Sequence, residues 1–166
     1  KVINMTLLLS KIWKLLNKRV QWYSIWLIHS KFNVGLSIII PNTEGRILLA
    51  EHVFSGPKSW RLVGGYINKN ENIYSAAKRE VKEELGIDIE IDRALRIRSG
   101  FMYRIEITLV SKPVDIAQEF VVNKKEIKQI GWFKQGEEPK DTLDSHKDLL
   151  VLYKEKPVGY VEIKNL

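Results

Sequence analysis

The stretch REVKEELG, Arg79 to Gly86, limits how this chain can fold more than any other. It predicts a helix from about Asn72 to Leu85, with Asn72 as the N-cap and Gly86 as the C-terminal stop. On that helix Glu80 is the neighbour of both Glu83 and Glu84, so three carboxylates converge. Ile73, Ala77, Val81 and Leu85 form the apolar stripe, and Glu84 falls beside Ala77 at its inward edge. Like-charge neighbours cost only about 0.2–0.5 kcal/mol each in water, so a solvated acidic face is the plain alternative. The position of Glu84 argues against it, because desolvating carboxylates is expensive unless a cation compensates. Converging oxygen ligands suit Mg²⁺ or Mn²⁺, which accept carboxylates and water while bridging to phosphate.

Just upstream, VGGYINKNE brings Gly64 and Gly65 to the same place, where missing side chains let backbone approach a ligand closely. A Gly-Gly pair by itself more often marks a turn. Before an acidic helix it offers a backbone carbonyl, while Glu71 and Arg79 have the charge and reach to pair across the loop-helix junction.

The rest of the chain supplies a sheet. NVGLSIII and RILLAEHV, separated by PNTEG, read as a hairpin, and WRLV is a short apolar piece running into Gly64. IDIEID and FMYRIEITLV read as strands, as does EIKQIGWF; DSHKDLLVLYKE reads as a helix and GYVEI as a closing strand. With no internal repeat, the class is α+β, a mixed sheet with helices packed on it. At 166 residues and 45% hydrophobic, one core-forming domain with an appendage is expected. The absence of cysteine excludes a disulfide framework, a thiolate zinc site and a cysteine nucleophile, and suits a reducing cytoplasm.

The net charge of +7 is not spread over the chain. Residues 1–31 hold six basic residues and no acid, which leaves 21 of the 27 basic residues against all 20 acidic ones in the body. A globally basic, nucleic-acid-binding surface is therefore not described. The segment TLLLSKIWKLLNKRVQWYSIWLIHSKF mixes Leu, Ile and Trp with Lys and Arg at intervals that suit one or two amphipathic helices. Lys11, Lys14 and Lys18 break the apolar run short of the roughly 18–20 residues a membrane span needs, and no signal peptide is expected. Two readings stay open: an apolar face packed on the domain, or a basic helical segment that meets a membrane surface, a partner or a second copy.

GYINKNENIYSAAKREVKEELGI, Gly65 to Ile87, resembles the signature of the Nudix hydrolases: Gly, five residues, Glu, seven residues, Arg-Glu, an aliphatic residue, any residue, Glu-Glu, any residue, Gly, an aliphatic residue. Every defined position is filled. WRLVGG resembles the family's Trp-x-Leu-Pro-Gly-Gly lead-in, with Val63 where proline is usual. EIKQIGWF resembles a later strand in which a glutamate precedes a tryptophan, which makes Glu126 a candidate ligand or base. The resemblance runs from about Phe32 to the C-terminal strand and divides the chain into an extension, residues 1–31, and a Nudix domain, residues 32–166, expected to be an α/β/α sandwich.

That resemblance implies that Glu80, Glu83 and Glu84 bind Mg²⁺ or Mn²⁺ with help from the Gly64 carbonyl, and that Glu71 and Arg79 are structural. The implied reaction is hydrolysis of a phosphoanhydride in a nucleoside diphosphate linked to another group, with Glu80 or Glu126 as general base. Removal of pyrophosphate from RNA 5′ ends and a non-catalytic nucleotide-sensing role are the alternatives. Phe54, Trp60, Phe101, Tyr103 and Trp132 are the candidates to stack on a nucleobase, and His29, His52 and His146 show no spacing that assigns them a role.

Overall fold

Leu36, Ile38 and Ile40 enter one hydrophobic core while Ile39 enters another, so the β-branched run that contains them is buried on both faces. Leu48 and Ala50 against Ile47 and Leu49 repeat the alternation. Two strands with two buried faces each require layers on both sides. The computed structural model describes residues 5–101, 103–155 and 162–165, with residues 100, 101 and 162–165 by backbone alone.

The chain divides into two compact units, Lys1–Phe32 and Asn33–Leu166. The first holds helices α1 (Met5–Leu15) and α2 (Lys18–Ile28). Asn17 caps α2 by accepting from Val20 N at 2.9 Å, and the Gln21 amide donates to the Trp13 and Leu16 carbonyls, tying the two helices together. No helix among the described residues is long and apolar enough to cross a membrane.

The second unit contains β1 (Asn33–Ile39), β2 (Ile47–His52), β3 (Trp60–Arg61), α3 (Ile73–Leu85), β4 (Ile91–Phe101), β5 (Arg104–Ser111), β6 (Ile127–Phe133), α4 (Asp144–Glu155) and β7 (Glu162–Asn165). A mixed four-stranded sheet runs β1-β5-β4-β7, and a three-stranded sheet runs β3-β2-β6. Ala76, Ala77, Val81 and Leu85 bring α3 onto the first core, and Leu149, Leu150 and Leu152 bring α4 onto the second. The result is the expected α/β/α arrangement of an α+β fold with a mixed sheet.

Three expectations need correcting. β1 and β2 do not form a hairpin: they share a turn and the Pro41↔Ile47 bridge, then diverge, β1 pairing in parallel with β5 and β2 antiparallel with β3 and β6. Residues 87–90 alternate buried and exposed as a strand would, but the ladder begins only at Ile91, and β4 continues through ALRIRSG to Phe101. FMYRIEITLV is accordingly split, its first residue ending β4 and its main part forming β5, with Tyr103 at φ 53° in the turn between them. Of the closing strand GYVEI, Glu162 and Ile163 lie in β7, and its first three residues fall outside the described residues.

Candidate active site

Both ends of α3 are fixed by the residues that predicted them. The Asn72 side chain accepts from Ser75 N at 2.9 Å, and Gly86, at φ 74°, donates to the Lys82 carbonyl at 3.0 Å. A Cβ on Gly86 would lie 2.7 Å from that of Val121, so the helix stop also admits the crossing segment. Val121 N and Asn123 N donate to the Leu85 and Glu84 carbonyls, both at 2.9 Å, and so satisfy acceptors that a helix end leaves open. Asn123 then donates through Nδ2 to Glu126 Oε1 at 3.0 Å. The helix end thereby positions Glu126, which sits exposed with its charge felt by Glu84.

Arg79 lies at the centre of the acidic group. Its Nε and Nη2 grip the two Glu71 oxygens at 2.8 and 2.9 Å, Nη2 also reaches the Tyr66 carbonyl at 3.0 Å, and Nη1 contacts Glu80 Oε1 at 2.8 Å and Glu83 Oε2 at 3.1 Å. The Arg79 fork, with the Asn68 N–H, holds the Glu71 carboxyl down at about 2, and Arg79 itself is pushed up by Glu71 and Glu80.

Glu84 is different. Only 3% of it is exposed, and its Oε2 is buried without a hydrogen-bond partner. Burial, then the carboxylates of Glu80, Glu126 and Glu83, push it up to about 8, against the opposing pull of the Gly64 N–H. Four acids thus meet where the protein supplies one guanidinium.

The Gly-Gly pair meets this cluster from the other side. The Val63 and Gly65 carbonyls accept from Ile38 N and Leu36 N at 2.8 and 2.7 Å, so the carbonyls flanking Gly64 are committed to β1. A Cβ on Gly65 would overlap the Glu80 carboxylate, and one on Gly64 would overlap the Leu36 carbonyl. At Gly64 the clash is with β1 backbone and demands glycine, whereas at Gly65 it is with the end of a side chain.

An all-oxygen donor set short of positive charge fits a hard divalent cation. No three acidic or histidine side chains among the described residues stand at metal-ligating positions, and Glu80 and Glu83 are turned onto Arg79.

A cavity of about 300 Å³ opens beside Gly64 and Gly65, lined among others by His52, Arg61, Tyr66, Arg104, Glu106 and His146. Arg104 lies 5.3 Å over the Tyr66 ring and pairs with Glu106 at 3.1 Å. His146 Nδ1 accepts from Leu62 N at 2.9 Å. Burial first and the nearby Arg61 charge second lower His52 to about 4 and His146 to about 3, so both are neutral at pH 7. Sequence reasoning missed these two histidines and both arginines. The Gly64-Gly65 loop and Tyr66 mark the mouth of the cavity, but no motif points to residues contributed by β2, β3, β5 and α4.

The stacking candidates are largely accounted for by packing. Trp60 meets Phe133 edge-on at 5.3 Å, and Trp132 meets Phe120 at 6.2 Å, both against the cores. Phe54 and Tyr103 are exposed, and the Phe101 side chain is outside what is described.

The NUDIX domain family model matches residues 31–152. Nudix hydrolase 8 of Arabidopsis thaliana is 26% identical over 115 residues, 66% of this chain and 31% of that protein. An RNA pyrophosphohydrolase of Pasteurella multocida (strain Pm70) is 36% identical over 91 residues, 52% of this chain and 44% of that protein. The chain therefore spans less than half the length of these relatives. A Nudix hydrolase from Nitrosomonas europaea superposes with a TM-score of 0.68 at 22% identity, covering 83% of this chain and 81% of its own, which is a likeness of fold.

Proposed function

Because the chain belongs to the NUDIX domain family, we propose that it hydrolyses the phosphoanhydride of a nucleoside diphosphate linked to another group, with Mg²⁺ or Mn²⁺ as cofactor. The observation that carries this reading is Glu84, buried with an unpartnered Oε2 among three further carboxylates. Glu80, Glu83 and Glu84, with the Gly64 carbonyl, would hold the cation, which when bound neutralises diphosphate oxygens and acidifies a water.

The chain's own residues supply the rest. Glu126 is the proton acceptor: it stands exposed and oriented by Asn123, whereas Glu80 is one of the acids that would hold the cation. Glu71 and Arg79 are structural, and Arg79 anchors the loop through the Tyr66 carbonyl. Arg61 and Arg104, at the wall of the cavity beside Gly64, receive a phosphate of the substrate, and the neutral histidines offer ring nitrogens to its polar atoms.

The test is phosphate release, coupled to a phosphatase, from nucleoside triphosphates, nucleotide sugars, ADP-ribose, dinucleotide polyphosphates and 5′-triphosphate RNA, with Mg²⁺ or Mn²⁺. Turnover of one class, lost in Glu83→Gln and Glu84→Gln, supports the reading. Turnover retained in both variants would remove the acidic helix from the mechanism.

A further inference from the structure

Neither α1 nor α2 has a buried residue. Of the large apolar side chains exposed among the described residues, more than half lie between Met5 and Ile28, including Trp13, Trp22 and Trp26 at 38%, 58% and 50% exposure. So many exposed apolar side chains on two short helices mark a surface that meets something. On α1 Met5, Leu8, Ile12 and Leu15 fall on one side, while Ser10, Lys11 and Lys14 fall on the other with Leu7 among them. An 11-residue helix is about 17 Å long, far short of a bilayer core of about 30 Å, so it can lie along a membrane but not cross it.

Charge identifies the occupant. Residues 1–31 carry six basic residues and no acid. Packing two copies of this segment together would oppose like charges with no carboxylate to pair them, whereas an anionic bilayer neutralises them and accepts the Trp and Leu side chains at the same time. A shallow cavity of about 450 Å³ on α2, lined by Lys18, Arg19, Trp22 and Tyr23, combines two cations with two amphipathic rings, the composition that suits a phosphate headgroup at the level of the interface. Lys31 Nζ lies 4.5 Å from the centre of the Trp26 ring, so a cation also accompanies the third tryptophan.

We propose that the helical pair α1–α2 is a peripheral membrane anchor that binds anionic phospholipid, inserting its apolar side chains at the interface and holding phosphate headgroups with Lys11, Lys14, Lys18 and Arg19. The anchor is independent of the hydrolase reading.

The test is co-sedimentation of the whole 166-residue chain with phosphatidylcholine vesicles, with and without phosphatidylglycerol, at low and high salt. The chain should pellet only with phosphatidylglycerol, release as salt screens the charges, and shift its tryptophan emission to the blue on binding. Lys11→Gln with Lys14→Gln should lower partitioning roughly thirtyfold, at about 1 kcal/mol per charge, with helix content by circular dichroism and hydrolytic activity unchanged. Trp13→Ser with Trp22→Ser should weaken binding and keep its salt dependence. Equal binding to neutral vesicles, or no binding at low salt, would overturn the proposal, as would a salt-resistant dimer in sedimentation velocity that ignores vesicles.

Discussion

Arg79 holds Glu71 through both carboxylate oxygens while its remaining nitrogen spans Glu80 and Glu83, so one side chain sets the direction of two acids from the loop behind them. The planar fork makes this possible, and lysine cannot reproduce it. Arg79→Lys is therefore expected to keep the fold and lower kcat about 10- to 100-fold, the cost typical of removing a partner that orients metal ligands. Activity titrated against Mg²⁺ should show weaker apparent affinity as well; wild-type kinetics in this variant would reduce Arg79 to a surface ion pair.

The same pair sets a limit at acid pH. Glu71 is lowered from its ordinary 4.5 to about 2, so its stabilisation is complete above pH 4.5 and is lost as pH falls through 2. Glu71→Gln should thus be less stable than the parent at pH 6, and the gap should narrow between pH 4.5 and 2. Urea unfolding midpoints across that range measure it.

Glu84 titrates with the opposite sign. Its native value of about 8 exceeds the ordinary 4.5, so without a divalent cation its contribution is favourable below pH 4.5 and is lost as pH rises through 8. In EDTA the parent should lose stability relative to Glu84→Gln over that window, at up to about 1.4 kcal/mol per pH unit. Saturating Mg²⁺ should remove the difference in slope while leaving Glu84→Gln inactive. Melting curves at pH 5, 6.5 and 8, with and without the cation, separate these outcomes.

His146 is half-buried and neutral and accepts from the Leu62 N–H, with its value lowered from 6.5 to about 3. The unfolded chain binds the extra proton first, so stability from this group is intact above pH 6.5 and falls as pH drops toward 3, by up to about 1.4 kcal/mol per unit. His146→Gln, which keeps an acceptor for Leu62, should flatten the decline between pH 6.5 and 4. An unchanged slope would mean that the ring is solvated.

What could be read in advance follows from whether a signal is local. Asn72 and Gly86 delimit α3 because caps act within one turn, and α4 and β6 likewise carry their own periodicity. The partner of β1 was not legible: a strand buried on both faces has no polar side to fix its place, and the nearest apolar run, β2, belongs to the other sheet. The acidic half of the site lies on one helix and one loop and could be found from spacing, with only Glu126 contributed from afar. The cationic half could not. Leu62 and His146 meet across 84 positions, and Arg61 and Arg104 line one cavity from strands of different sheets.

The two glycines should fail in different ways. At Gly65 a methyl group meets the end of the Glu80 side chain, which can swing aside, so Gly65→Ala should fold while Glu80 is displaced from the acidic cluster. At Gly64 the methyl group meets the Leu36 carbonyl and the Ser37 Cα, backbone that β1 holds in register with β5, so Gly64→Ala should disturb the sheet itself. The expected pattern is a melting temperature near the parent's with at least about tenfold lower kcat for Gly65→Ala, and a loss of several degrees for Gly64→Ala. If both variants lost stability alike, Glu80 would be held too rigidly to yield, and its contact with Arg79 would count as part of the core.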